Sequence, residues 1–173
     1  MSLELYFLRS SEQKIVSDML YHAQGLKENA IYSDFFGLSN KDLGLYAMQD
    51  NVLAGAIWSR KLNAAHKSNG FVDEDTPVVN LAVKPEFRNQ GIATAMIEQF
   101  LLEAGSLYES LSISVLDDLK SIKFLEKFGF EVVLDSQHTS YADKKPSIIM
   151  KKALQKKEIV RPTDGYDAQK WMD

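Results

Sequence analysis

Hydrocarbon and hydroxyl side chains alternate through residues 110–115, where Leu111, Ile113 and Val115 are interleaved with Ser110, Ser112 and Ser114. A period of two places the apolar set on one side of a strand and the serines on the other. Residues 3–8 are apolar and aromatic enough for a first strand, and residues 78–83 form a strand-like run interrupted only by Asn80. Residues 43–48 and 52–62 flank the polar Gln49-Asp50-Asn51, which predicts an antiparallel hairpin. Elsewhere the spacing is helical. Ile92, Met96, Ile97, Phe100 and Leu101 share a helix face that ends at Gly105. Ile122, Leu125 and Phe128 line another, which Asp117 or Asp118 can cap and Gly129 can close. Near the start, Ser10 or Ser11 can cap a helix carrying Ile15, Met19 and Leu20 on one face.

Residues 23–40 mix Phe35 and Phe36 with the breaker Gly37 and read as one or two short helices with loops. Residues 63–76 are polar, with Gly70 and the acidic run Asp73-Glu74-Asp75. A loop of that length is often functional or mobile, although a solvated turn is the ordinary reading of its charges. Residues 130–134 and 147–150 read as two last strands, joined by a polar loop containing Tyr141 and Pro146. The order of elements predicts a mixed α/β fold in one domain over residues 1–154. The tail, 155–173, is charged and interrupted by Pro162 and Gly165. Both disorder and docking through Trp171 and Met172 remain open for it.

Composition narrows the chemistry. A chain of 173 residues suits one domain that buries roughly 70% of its unfolded surface. The absence of cysteine removes disulfides, thiolate metal sites and a cysteine nucleophile. His22, His66 and His138 are scattered without metal-ligand spacing, so no metal is expected and satisfied or surface histidines are the better reading. A net charge of -4 argues against a nucleic-acid partner. No apolar run is long enough for a bilayer and no signal-peptide pattern is present, so the expectation is cytoplasmic, with no membrane partner.

Chemistry concentrates between the strand at residues 78–83 and the helix after it. The connecting segment contains Arg88-Asn89-Gln90-Gly91-Ile92-Ala93. A helix start offers unpaired N–H groups and the positive end of a macrodipole, and a glycine lets a phosphate approach the main chain. Arg88 adds a permanent positive charge. Gly91 is the lone glycine of this segment, so neither G-x-G-x-x-G nor G-x-x-x-x-G-K-[ST] is present, and a nucleotide-dependent enzyme is a weak reading.

The run LAVKPEFRNQGIATAMIEQFL and the later KSIKFLEKFGFEVV resemble the GNAT superfamily of acyl-CoA-dependent N-acetyltransferases. Arg88, Gly91 and Ala93 match its cofactor loop, Arg/Gln-x-x-Gly-x-Gly/Ala. Val83-Lys84-Pro85 match the end of the strand before it, and Gly129-Phe130 match the close of the second helix. The specific motifs cover residues 76–133. The resemblance implies a three-layer α/β/α fold whose central, mostly antiparallel sheet splays between strands 4 and 5. It implies acetyl-CoA as acyl donor, with pantetheine paired to the main chain of Leu81, Ala82 and Val83. The pyrophosphate would lie on N–H groups of Asn89, Gln90, Gly91, Ile92, Ala93 and Thr94. Asp118, Ser121 and Phe124 fall at cofactor-facing positions, although Asp118 stands where the family often has Asn, and helix capping suits it better. Lys120 and Lys123 are near enough in sequence to help neutralise phosphate, with solvent exposure the plainer reading. Tyr32, Phe35 and Phe36 are candidate acceptor-pocket walls, with core packing the more ordinary role.

Two positions depart from the resemblance. Leu125 stands where the family often has a Tyr acid, and Pro77 where it often has a Glu base. Substitutes are Asp75 or Glu74 as base, Asn80 to orient a water and Tyr141 as acid, each with an ordinary structural role also open to it. The leading expectation is an N-acyltransferase moving an acetyl or short acyl group to a primary amine of a small molecule or peptide. The alternative is a non-catalytic acyl-CoA-binding module of the same fold. Homodimers are common among similar proteins, and the sequence names no interface.

Overall fold

Asp50 and Asn51 both take positive φ, 50° and 67°. That two-residue turn has the twist that closes a tight hairpin. It joins β2 (Leu43–Gln49) to β3 (Val52–Arg60), as the polar Gln49-Asp50-Asn51 predicts. The computed structural model describes residues 2–12, 14–16, 18–19, 42–62, 70–140 and 144–155. Around the hairpin lie β1 (Leu3–Phe7), β4 (Val78–Val83), α1 (Ile92–Ala104), β5 (Ser110–Leu116) and α2 (Leu119–Glu126). Two short strands, β6 (Glu131–Val132) and β7 (His138–Thr139), precede β8 (Pro146–Ala153).

These strands form one sheet in the order β1-β2-β3-β4-β5-β8-β6, with β7 also on β8. Every pairing is antiparallel except β4 with β5. One face carries Leu45, Ile57, Val79, Leu111, Ile113 and Met150 against Met96, Ile97 and Phe100 of α1 and Leu125 of α2. On the other, Val16 and Met19 from a helical stretch after β1 cover Ala56, Trp58 and Ala82. The layers are therefore α/β/α among the described residues. No helix there is long and apolar enough to cross a membrane.

Helix boundaries obey the sequence signals, with one exception. Asp118 caps α2, its carboxylate accepting from the Ser121 N–H at 2.7 Å. Gly129, at φ 90°, ends the turn as its N–H donates to Glu126 O and the Phe130 N–H to Leu125 O. This is the closure that a left-handed residue makes possible. The exception is the N-terminal segment. There the Glu12 side chain accepts from the Arg9 N–H at 3.0 Å and starts a 3-10 turn at Ser10–Glu12.

The last strands depart further from the expectation. The apolar run at residues 130–134 predicts one strand, yet β6 has only two residues and Leu134 is 88% exposed. Asp135 turns the chain at φ 57°. The Ser136 hydroxyl then stands in for a ladder residue, donating to Val133 O at 2.6 Å and accepting from the Ile149 N–H at 3.0 Å. Pairing resumes at β7, where His138 faces Ser147. A bulged edge of this kind re-aims the side chain beyond it.

The acidic loop before β4 is also more ordered than a solvated turn. Asp73 accepts from the Asp75 N–H at 2.9 Å, and Thr76 Oγ1 bonds Ser110 Oγ at 3.0 Å. Partial burial pushes the Asp73 carboxyl up, but bonds from Thr76 and the Asp75 N–H, with Lys151 nearby, outweigh it and leave it below the usual range.

Candidate functional site

The β4–β5 seam is closed at one end and open at the other. Val78 pairs with Ser112 and Val79 with Ile113, and there the ladder stops. Both strands nevertheless continue, β4 to Val83 and β5 to Leu116. On that side the main chain of β4 beyond Val79 has lost its ladder partner, and buried peptide groups require one. The opening is a cleft of about 510 Å³ lined by Leu81, Ala82 and Val83 on one wall and Leu116 and Phe124 on the other.

The cleft runs on to the start of α1, where Phe87, Arg88, Asn89 and residues 91–94 also line it. A 3-10 turn, Pro85–Phe87, reverses the chain after β4. Asn89 and Gly91 then take φ of 63° and 80°. Gly91 is the N-cap of α1 and offers no side chain to its free N–H groups. Ala95 is the first to bond back, to Gly91 O at 3.1 Å, so the N–H groups of Ile92, Ala93 and Thr94 have no carbonyl one turn behind them. A Cβ built on Gly91 would meet no atom within 4 Å, so the glycine is needed there for its left-handed backbone rather than for lack of room. The chemistry of this end is that of an anion cradle, and the unpaired edge of β4 suits an amide-bearing chain.

Ten of the expected cofactor residues line this cleft: Leu81, Ala82, Val83, Arg88, Asn89, Gly91, Ile92, Ala93, Thr94 and Phe124. Gln90 does not; its amide donates to Glu86 O at 3.3 Å. Asp118 and Ser121 are engaged with each other in the cap of α2, and neither is part of the lining. The Ser121 N–H and hydroxyl bonds hold the Asp118 carboxyl below the usual range. Lys120 and Lys123 are exposed. The cleft also includes Phe87 and Leu116, which the sequence did not single out.

The candidate proton-transfer residues are dispersed. Asp75 is exposed and lies beyond the closed end of the seam, up to roughly 20 Å of extended chain from Leu81. Asn80 is half-buried, opposite Trp58 and one residue past the last β4–β5 pair. Leu125 is 2% exposed and packs in the core. Pro77 is buried, its carbonyl accepting from the Ser112 N–H at 3.0 Å. Tyr141, Tyr32, Phe35, Phe36 and Leu20 lie outside the described residues, as do Trp171 and Met172.

A contact with no sequence signal stands at the point where the strands part. His138 Nε2 is 2.9 Å from Ser114 Oγ, and His138 Nδ1 is 2.8 Å from Ser136 O. The two partners are 24 residues apart, and the pairing of both β5 and β7 with β8 brings them together.

Comparisons agree with this geometry. No curated protein matches the chain in sequence. Among solved structures, an acyl-CoA N-acyltransferase from Pseudomonas aeruginosa superposes with a TM-score of 0.67 at 16% identity, over 88% of this chain and 100% of that one. The ribosomal-protein-S18-alanine N-acetyltransferase from Escherichia coli gives 0.66 at 16% identity, over 89% and 95%. Arabidopsis thaliana Naa50, in complex with the bisubstrate analogue CoA-Ac-MVNAL, gives 0.64 at 18%, over 89% and 100%. Residues 10–130 match the acetyltransferase (GNAT) family, and the chain belongs to it.

Proposed function

We propose that the protein is an N-acyltransferase that moves an acetyl or short acyl group from its CoA thioester to a primary amine. The reaction is direct attack within a ternary complex. The observation that carries the reading is the β4–β5 seam, which opens after Val79 and Ile113 into a cleft ending on the bare N–H groups of α1. The N–H groups of residues 91–94 bind the diphosphate, and the main chain of Leu81–Val83 pairs with the pantetheine amides. A main-chain N–H near Val83 polarises the thioester carbonyl as charge develops on its oxygen. Peptide and small-molecule amines both remain acceptor classes. The peptide-bearing analogue on Naa50 motivates peptide acceptors, and the similarity to a phosphinothricin N-acetyltransferase structure motivates small-molecule amines.

Leu125 and Pro77 supply no proton-transfer group, and this favours one alternative, an acyl-CoA-binding module without turnover. Catalysis still leads because positioning can contribute roughly 7–11 kcal/mol, whereas a missing acid or base costs about 10²–10⁴-fold. The test is incubation with acetyl-CoA and a panel of primary amines and short peptides, following free thiol and acetylated product. Thiol release that depends on the acceptor is the expected result. Saturable CoA binding with no product from any acceptor would favour the binding module instead.

A further inference from the structure

The transferase reading leaves open where the acceptor amine's proton goes. Same-face neighbours along a strand are about 6.6 Å apart. Moving inward along the two walls of the cleft, Ala82 is succeeded by Asn80, and Leu116 by Ser114. Asn80 and Ser114 each stand one residue past the last β4–β5 pair, Val79 with Ile113, and both point to the face opposite Val79 and Ile113. Ser114 therefore sits at the crotch of the fork, one same-face step inward from Leu116 of the cleft lining, of which it is not itself a part. Gly70 packs over it, so close that a Cβ there would lie 3.1 Å from the Ser114 nitrogen.

The bonds around His138 fix its protonation pattern. Ser136 O is a carbonyl and can only accept, so His138 Nδ1 carries a proton. In the neutral ring Nε2 is then the lone-pair nitrogen, and it accepts from the Ser114 hydroxyl at 2.9 Å. After protonation, the same nitrogen can donate to Ser114 Oγ at the same distance. The pair can take up and return a proton without moving a heavy atom, and its histidine is oriented by a third group, as general-base pairs are.

We propose that Ser114, backed by His138, accepts the proton of the attacking amine. This rests on the acyl-transfer reading above and replaces the search for a carboxylate at Asp75. An alkylammonium acceptor first gives one proton through Ser114 to His138 Nε2 and on to water. Its freed lone pair then forms the C–N bond at the thioester carbonyl carbon, and the C–S bond breaks with its electron pair leaving on sulfur. The second amine proton passes to Ser114 Oγ while the Ser114 proton passes to His138 Nε2. The imidazolium then gives that proton to the thiolate or to water, leaving amide and free thiol. Ser114 is the group that touches the acceptor; His138 acts through it.

Nitrogen NMR of the uniformly nitrogen-15-labelled full chain, with His138 assigned by comparison with His138→Gln, tests the placement. For the neutral ring the expected spectrum places the proton on Nδ1, with the Nε2 signal moving on addition of acetyl-CoA and, separately, in Ser114→Ala. A His138 signal unchanged by acetyl-CoA, while the Gly91 amide shifts, overturns the assignment and leaves the transferase reading standing. An unmoved Gly91 amide overturns both.

Kinetics test the role. Ser114→Ala and His138→Gln should lower kcat with a protonated alkylamine acceptor by about 10²–10⁴-fold while KM for acetyl-CoA stays within about twofold. Methoxyamine, already unprotonated at neutral pH, skips the first deprotonation, and the proton its nitrogen loses on attack is acidic enough for water to take, so it should lose far less rate. Equal losses with both amines indicate misplacement of the strands and overturn the proposal.

Discussion

The two ends of the β4–β5 seam have similar sequences and opposite fates. At the closed end, Val78 and Val79 pair with Ser112 and Ile113, and the Ser112 hydroxyl donates to Gly70 O at 2.7 Å. Thr76 and Ser112 are both buried there. At the open end, Leu81, Ala82 and Val83 are as apolar as the valines before them, yet their neighbour across the gap is a cleft. Strand propensity does not distinguish the two ends. The difference arises downstream of each strand: the 3-10 turn and α1 after β4, and the Asp118 cap after β5, set the chains on diverging paths. Closure at one end supplies rigidity, and divergence at the other supplies main-chain groups that a ligand can use.

The largest expected effect breaks the open end alone. Gly91→Glu puts a carboxylate where the diphosphate is proposed to bind and forces a side chain into φ 80°. Loss of two charge-assisted bonds of about 1.5 kcal/mol each weakens CoA binding on the order of 100-fold. Gly91→Asn is the control. Asparagine tolerates the left-handed region, and its Cβ meets nothing within 4 Å. It should keep most of the affinity. Calorimetric titration with CoA checks both variants. Undiminished binding by a folded Gly91→Glu would sink the assignment of the diphosphate to this helix start.

The open end is the more legible of the two in sequence. Arg88, Gly91 and Ala93 mark a backbone geometry, and a residue that must be glycine for its φ leaves a direct trace. The caps at Asp118 and Gly129 and the hairpin at Asp50-Asn51 are legible for the same reason, since each is decided within a few residues. The proton-transfer candidates are not. Asp75 looks suitable only because it precedes Pro77 in the chain; the fold sets it past the closed end. Ser114 and His138 look ordinary because their contact depends on the pairing of both β5 and β7 with β8, a tertiary event with no local signature. Phe87 and Leu116 reach the cleft for a similar reason: the paths of two strands decide it, not any motif.

A smaller effect belongs to the closed end. Tyr108, just after α1, is 5% exposed, and its hydroxyl lies 3.3 Å from Ser59 Oγ on the strand residue facing Val79. Burial pushes its phenol up to about 12, the Ser59 bond works against this, and Asp42 adds to it. The folded value is thus above the unfolded one of 10.0. Its stabilising contribution is whole below pH 10 and is lost as pH climbs to about 12, by at most roughly 2–3 kcal/mol. Urea denaturation across pH 9 to about 11.5 should show a steeper alkaline loss in the parent than in Tyr108→Phe. CoA affinity at neutral pH should be the same in both, since the phenol is remote from the cleft. Identical alkaline profiles would mean that the phenol is not held off solvent at that end.

The smallest effect separates charge from backbone at the open end. Arg88 is exposed, and its Nε donates to Val83 O at 3.3 Å, tying the loop to the last residue of β4. Its charge is screened by water, so Arg88→Ala should weaken CoA binding only about 3–10-fold at low salt, and the difference should shrink towards none near 0.5 M salt. Arg88→Lys keeps the charge and loses the planar donor, so it should recover the salt-dependent part and no more. The Gly91→Glu loss, in contrast, should persist at high salt, because bonds from fixed N–H groups at short range are screened far less than an exposed charge. If the Arg88→Ala deficit were as large as that of Gly91→Glu and equally indifferent to salt, the guanidinium rather than the helix start would be the principal anion ligand. The open end would then owe its chemistry to one side chain instead of to the divergence of two strands.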